Sequence, residues 1–548
     1  MARTTPALTV SHWRADDSEP VLDTTVASIL DDAARRAPDT TALVVGTPDR
    51  SARTRLTYAE LAQEAERAAR ALAARFDPGE RVAAWASSIP ESLVLTYGAA
   101  MAGLVLVPVN PALQAAEMRH VLGRSGAGAV FFQSEHRGRD QAKILDEVRS
   151  ELPALRQVVD FARWTTFCSE GGSGSWVRPV VRPDDVAQLV YTSGTTGAPK
   201  GALLTHGGMT NAARFGAARF GMRAGDVYVH TMPLFHVGGQ VVAFQLCQSL
   251  ATTVLVPSFD AGVVLELVES ERATLTCGVP TMLLAMIEHP DFGRRDLSSL
   301  RSISGGGAVV PDEIVRHVED TLGVEFAIVF GQTEACGFIS QTHLDDDAHD
   351  KGSTLGQPLA RVEARVADPD RGEVVGVGHV GELEVRGPNV MAGYHDMPEE
   401  TAEAFRPGGW LRTGDLVTMD DRGYLTMAGR LKEMIVSGGE NIFPVEIELA
   451  LTAHPDVAQA AVVGVPDRRW GEAAVAVVRL VAGAEPDPDG LDRFLRGRLA
   501  AYKVPRRWEF VDWELPITAS GKLQRFAVKD RLAASSVPGA SPEDVRAP

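Results

Sequence analysis

From Tyr58 to Arg75, apolar residues fall at Leu61, Ala65, Ala68 and Leu72. That spacing gives a helix one buried stripe. The short apolar run Arg81–Trp85 follows and reads as a strand. Further apolar runs at Ala129–Phe132, Ala187–Tyr191, Thr253–Val256 and Phe326–Phe330 continue the alternation. Helices alternating with short apolar strands predict an α/β region with mainly parallel sheets. The longest apolar stretch, Leu93–Val109, is broken by Thr96, Tyr97, two glycines and Pro108. It reads as a buried helix running into a strand, not as a membrane span.

From about Gly376 the pattern changes to short β-like runs bounded by Gly, Pro and Asp: Gly381–Arg386, Trp410–Met419 and Tyr424–Ala428. They predict a small β-barrel or meander. After Arg430 a separate α+β unit is expected. It contains Lys432–Val436, a helix Pro444–Ala453, strands Val457–Val465 and Ala473–Leu480, and a helix Gly490–Ala500. The expected layout is a loosely held arm over 1–24, a large domain over 25–430, a small domain over 431–533, and a disordered tail over 534–548. Gly171–Ser175 reads as a surface loop, and no internal repeat is visible.

Composition narrows the function classes. A chain of 548 residues exceeds one compact core, and 45% hydrophobic with 23% charged residues suits a globular protein. A net charge of −18 argues against nucleic acid or an anionic membrane surface as a general partner. Cys168, Cys247, Cys277 and Cys336 have neither metal-ligand spacing nor a disulfide pattern. The N-terminus lacks a basic segment followed by an apolar run, so a cytoplasmic protein without integral membrane segment is expected. Oligomeric state is left open between monomer and homodimer.

The chemistry begins at Tyr191-Thr-Ser-Gly-Thr-Thr-Gly-Ala-Pro-Lys-Gly201, directly after an apolar run. Glycine lets backbone N–H groups converge on an anion. Thr192, Ser193, Thr195 and Thr196 add hydroxyls beside Gly194, and Lys200 adds a charge. Polyphosphate suits this loop. It is not a Walker A motif, because Gly201-Ala202 follows the lysine where Ser or Thr is needed. Thr333-Glu334 follows another strand, at the end where open α/β sheets bind ligands. A carboxylate beside polyphosphate is a hard oxygen ligand for Mg²⁺. Gly305-Gly306-Gly307-Ala308 would let a flat base approach the backbone closely. Asp415, after Gly414, could accept two ribose hydroxyls or merely cap a turn. The acids and histidines of His343–Asp350 read as a solvated loop in preference to a metal site.

Taken together these segments resemble the adenylate-forming superfamily, which includes acyl- and aryl-CoA synthetases, peptide-synthetase adenylation domains and beetle luciferases. The resemblance runs over roughly residues 25 to 530. Beside the loop it rests on Ile303-Ser-Gly-Gly-Gly-Ala308, Phe330-Gly-Gln-Thr-Glu334, Gly409-Trp-Leu-Arg-Thr-Gly-Asp415, Gly429-Arg-Leu-Lys432, Ser437-Gly-Gly-Glu-Asn441 and Pro516-Ile-Thr-Ala-Ser-Gly-Lys522, in the family's order.

The resemblance implies a fold and a set of roles. The fold is α/β: a large N-terminal domain with layered α/β subdomains and a small β-barrel-like subdomain, then a mobile α+β C-terminal domain. ATP and AMP would be bound by Thr192, Ser193, Gly194, Thr195, Thr196, Lys200, Gly306, Gly307, Ala308, Phe330, Gly331, Gln332, Asp415 and Arg430. Phe330 stands where the family usually has Tyr, which keeps stacking and loses a hydroxyl. Thr333 would contact the α-phosphate, Glu334 would bind Mg²⁺, and Lys522 would stabilise the adenylation transition state. Lys432 would be the hinge between two half-reactions. Ser437, Gly438, Gly439, Glu440 and Trp470 would serve coenzyme A. The acyl pocket would include His236, Val237, Gly238, Gly305, Gly331 and Cys336. Because His236 follows Phe235 where amino-acid-activating relatives carry Asp, an α-amino acid is disfavoured. The implied activity is ATP- and Mg²⁺-dependent conversion of a medium or long aliphatic, cyclic or aryl acid to acyl-AMP, then to acyl-CoA. An amine acceptor, or luciferase-like oxygen chemistry, are the alternatives.

Overall fold

The computed structural model describes residues 7–171, 176–192, 199–306, 310, 312–437, 440–467, 470–517 and 523–535. The Gly-Ser loop over 172–175 and the tail beyond 535 therefore lie outside the described residues. Two mainly parallel sheets form the large N-terminal region. In one, the strands Arg81–Trp85, Val105–Val109, Ala129–Phe132, Gln157–Asp160 and Val186–Thr192 run parallel. Lys200–Thr205 and Gly393–Tyr394 extend that sheet antiparallel at one edge. The second sheet runs parallel through Thr41–Val45, Thr252–Leu255, Val227–His230, Leu275–Cys277, Ser302–Gly306 and Glu325–Phe330.

The helix foreseen from Tyr58 spans Tyr58–Ala73. Thr57 and Glu60 form a capping box at its start, and Leu61, Ala65, Ala68 and Leu72 are buried. The apolar stretch after it divides into helix Pro90–Met101 and strand Val105–Val109, as its interruptions predict. These two helices touch closely at Gly98, where a Cβ would lie 2.8 Å from the Cβ of Ala68.

A curled antiparallel sheet follows, built on Glu363–Ala367, Gly381–Arg386, Trp410–Met419 and Leu425–Arg430. It starts upstream of the pattern change at Gly376. It also takes in a strand from the other end of the chain, His12–Trp13, which pairs with Ala364–Arg365. The described part of the arm is thus firmly held, against expectation. Trp13 packs on Gly423, and Asn211 makes two 2.9 Å hydrogen bonds to the backbone of Leu22.

The C-terminal unit is a five-stranded sheet with separate apolar clusters on its two faces. Ile435, Ile447, Leu451 and Leu491 cover one face, and Val475, Val477, Leu515 and Val528 cover the other. Lys432 belongs to a 3₁₀ turn, Leu431–Glu433, rather than to a strand. The last helix, Arg525–Ser535, runs into the stretch expected to be tail.

Candidate active site

Two of the phosphate-loop candidates, Thr192 and Lys200, stand where two antiparallel strands meet the segment that connects them. Strands Val186–Thr192 and Lys200–Thr205 pair with Thr192 opposite Lys200, and the Thr192 hydroxyl donates to the Lys200 carbonyl at 3.4 Å. Ser193, Gly194, Thr195 and Thr196 lie outside the described residues. His120 braces the hairpin by donating from Nε2 to the Pro199 carbonyl at 3.0 Å. The edge strand Gly393–Tyr394 holds the other side, with Ala202 opposite Tyr394 and the His395 N–H donating to the Gly201 carbonyl at 2.8 Å.

The strand Glu325–Phe330 ends in a sharp reversal. Gly331 and Gln332 lead into one turn of 3₁₀ helix, Thr333–Ala335, and the chain returns through Cys336 (φ +50°) and Gly337 (φ +81°). The return presses on Gly331, where a Cβ would lie 2.2 Å from the Gly337 carbonyl oxygen. Only glycine fits there. Asn389 braces the same turn by donating to the Phe338 carbonyl at 2.7 Å. The Met391 N–H donates to the Glu334 carbonyl at 2.8 Å.

Glu334 and Lys200 meet at Tyr394, which sequence reasoning missed. The Tyr394 hydroxyl donates to Glu334 Oε1 at 2.9 Å, and the Lys200 ammonium lies 5.1 Å from the Tyr394 ring centre. Burial, and then the neighbouring carboxylate, push the phenol well above its ordinary pKa, so it keeps its proton and donates. Its one sequence signal is Gly393-Tyr394 before Pro398-Glu-Glu-Thr401.

The glycines Gly305 and Gly306 have a structural reason of their own. A Cβ would lie 2.4 Å from Cζ of Phe326 at the first and 2.3 Å from the Val329 carbonyl oxygen at the second. Gly307 and Ala308 are outside the described residues. Among the acyl-pocket candidates, His236 stands at the N-cap position of helix Val237–Gln248 without a side-chain capping hydrogen bond, and packs against Phe235, ring centres 4.7 Å apart. Val237 and Gly238 border Gly337. Cys336 is fully buried with its sulfur toward Gly208, and burial pushes its thiol up to about 12.

Asp415 and Arg430 face each other across adjacent strands. Arg430 Nε stands 3.1 Å from Asp415 Oδ1, and the Asp415 carboxylate is almost wholly buried. The turn Leu431–Glu433 follows at once, with Lys432 exposed. Ser437 pairs with Glu440 and with Gly471, which brings the Ser437 segment beside Trp470. Only the backbone of Glu440 is described, and Gly438 and Gly439 lie outside. The Arg506 guanidinium stacks 3.9 Å from the Trp470 ring centre.

Lys522 lies outside the described residues, but its flanks are pinned. Ile517 bridges to Leu523, and the Gln524 N–H donates to the Pro516 carbonyl at 2.8 Å. Arg525 then binds Glu433 of the turn beside Lys432, and Glu448 through Nε at 2.8 Å. No local motif signals this contact. Elsewhere, the acids of the His343–Asp350 stretch have structural partners. Asp350 pairs with Arg422 and Asp346 accepts from Tyr424.

Comparison with known proteins identifies this architecture. Residues 30–395 match the family described as AMP-binding enzyme, and residues 446–522 match the AMP-binding enzyme C-terminal domain. The chain belongs to the AMP-binding enzyme family. A feruloyl-CoA synthase of Amycolatopsis sp is 40% identical over 515 residues, covering 91% of this chain and 97% of that protein. A mitochondrial medium-chain acyl-CoA ligase, ACSF2, of Danio rerio is 34% identical over 562 residues, covering 96% and 91%. The crystal structure of ATP-bound MatB from Rhodopseudomonas palustris superposes with a TM-score of 0.84 at 29% identity, covering 93% of this chain and 99% of that one. The apo form of that protein gives 0.75. The chain is therefore an AMP-forming acid–CoA ligase, which adenylates a carboxylic acid with ATP and passes the acyl group to coenzyme A. No helix among the described residues of the ligase is long and apolar enough to cross a membrane.

Proposed function

We propose that the ligase acts on an acid larger than acetate: medium or long aliphatic, cyclic or aryl. The observation that carries this is Gly238. A Cβ built there meets no atom within 4 Å, whereas Gly305, Gly306 and Gly331 are closely hemmed in. The acid's tail is placed in the open space beside the first turn of helix Val237–Gln248. The relatives named for feruloyl and medium-chain acyl substrates agree with a roomy site.

In the first half-reaction the carboxylate attacks the α-phosphorus and pyrophosphate leaves. Positioning and charge stabilisation do most of this work. The loop from Thr192 to Lys200 holds the β- and γ-phosphates. Thr333 holds the α-phosphate, and Phe330 stacks on adenine above Gly306. Asp415 and Arg430 hold the ribose, and Lys522 stabilises the charge that develops in transfer.

Magnesium fits Glu334. Oε1 is taken by Tyr394, and among the described residues Oε2 accepts no hydrogen bond and the carboxylate has no ion pair. Magnesium is commonly held by one or two carboxylates plus substrate phosphates, not by an all-protein cage. The described residues contain no cluster of three or more His, Cys, Asp or Glu that would make such a cage. When bound, the ion neutralises phosphate charge.

The small domain begins after Arg430 and turns about Lys432 between the half-reactions, presenting Lys522 first and the Ser437–Trp470 edge to coenzyme A second. The better superposition on the ATP-bound than on the apo relative supports an arrangement near the first state. A cytoplasmic setting, where ATP and coenzyme A meet, completes the proposal.

A panel of acids with ATP and Mg²⁺, scored by pyrophosphate release and then by thioester formation with coenzyme A, tests it. Hydroxycinnamates or medium-chain fatty acids should lead and acetate should fail. Acetate or an α-amino acid as best substrate would contradict it.

A further inference from the structure

Lys200 and Glu334 carry opposite charges at one site, yet among the described residues neither forms an ion pair. A direct pair would neutralise the cation meant for phosphate. It would also occupy the carboxylate meant for a metal. Tyr394 touches both. Its ring faces the lysine at 5.1 Å from the centroid, and its hydroxyl donates to Glu334 Oε1 at 2.9 Å. An aromatic face attracts a cation without neutralising it, and a phenol satisfies one carboxylate oxygen while leaving the other open.

The backbone makes this arrangement rigid. Tyr394 is opposite Ala202 on the strand that begins with Lys200, so ring and lysine share one frame. Three residues before the tyrosine, the Met391 N–H fixes the Glu334 carbonyl at 2.8 Å. The same short segment, 391–395, therefore registers the hairpin against the Glu334 turn.

We propose that Tyr394 is a positioning residue that keeps Lys200 and Glu334 apart, reserving the lysine for the nucleotide's phosphates and the second Glu334 oxygen for magnesium. This rests on the assignment of Glu334 to the metal and Lys200 to phosphate. Tyr394→Phe keeps the ring and removes the hydroxyl. Tyr394→Leu removes both contacts and lets the two charges pair.

Three readouts test the proposal: the Mg²⁺ concentration for half-maximal ATP–pyrophosphate exchange, the affinity for ATP in EDTA by calorimetry, and the melting temperature. Tyr394→Phe should raise the Mg²⁺ requirement about tenfold, the low end for loss of a metal ligand's supporting hydrogen bond. Its metal-free ATP affinity and melting temperature should stay unchanged. Tyr394→Leu should also weaken metal-free ATP binding about tenfold, and adding Glu334→Gln should restore that binding by removing the lysine's new partner. An unchanged Mg²⁺ requirement in Tyr394→Phe, or no restoration in the double variant, overturns the proposal. Glu334→Gln alone separates the layers. If it leaves the Mg²⁺ requirement unmoved, the metal assignment itself fails. If it raises the requirement and Tyr394→Phe does not, only the role of Tyr394 fails.

Discussion

Two short 3₁₀ turns, Thr333–Ala335 and Leu431–Glu433, each follow the end of a β-strand, and they are held in opposite ways. The first is gripped from several directions. Gly331 lies under the Gly337 carbonyl, Asn389 braces the return, Met391 fixes the backbone of Glu334 and Tyr394 its side chain. The second leaves Lys432 exposed, and its side-chain tie to the lysine-bearing end of the small domain is Arg525 on Glu433. The difference teaches where each kind of precision is needed. A fixed charge belongs on the gripped turn. The part proposed to take two positions lies beyond the more lightly held one.

The sharpest way to break this contrast is Lys522→Ala. We expect ATP–pyrophosphate exchange to fall by about 10³-fold, the scale for losing a preorganised charge-stabilising group, with an unchanged melting curve. Exchange at the wild-type rate would remove Lys522 from the adenylation step. Next comes Arg525→Met. It strands Glu448, which also accepts from the Val462 N–H at 2.8 Å. Breaking a buried ion pair from one side costs about 3–5 kcal/mol. Calorimetry should show the small domain melting first while the large domain keeps its transition, and a single unshifted transition would refute this.

A pH test probes the gripped half. His206 is buried at the start of the helix after the hairpin, and its Nδ1 accepts from the Val26 N–H at 3.3 Å. Burial depresses its pKa to about 4. Between that value and the ordinary one near 6.5, the unfolded chain binds a proton that the folded chain does not, so stability falls as pH drops through this window. The loss approaches roughly 3 kcal/mol at the acid end. His206→Asn keeps an acceptor and removes the titration, so its urea stability should fall less steeply from pH 6.5 to 4 than the wild type's. Identical slopes would contradict the assignment. The smallest effect is expected for Lys432→Pro. It should slow thioester formation about tenfold, by stiffening the turn, and leave adenylation nearly intact. Equal loss of both steps would count against a hinge there.

Much of this contrast was legible in the sequence, and the reasons are local. Helix Tyr58–Ala73 and strand Arg81–Trp85 follow from apolar spacing, because burial repeats with the period of the element. The positions of Thr333, Glu334, Asp415 and Lys432 followed from motifs that span a few residues. The missing parts are contacts between distant segments. Strand His12–Trp13 pairs with residues some 350 positions away, so a pattern read locally gave a loose arm. Tyr394 gains its role only by reaching Glu334, 60 residues back. Arg525 gains its role by reaching Glu433 and Glu448. The glycines of Ser302–Gly306 read in sequence as room for a base, and the structure adds a demand from neighbouring strands that no motif expresses.

The most direct test of the two-turn account bypasses the first half-reaction. Preformed acyl-adenylate and coenzyme A would be given to Lys522→Ala and to Lys432→Pro, and thioester formation timed in a single turnover. The account predicts a wild-type rate for Lys522→Ala and a slowed rate for Lys432→Pro, the reverse of their order in ATP–pyrophosphate exchange. The same order in both assays would contradict it.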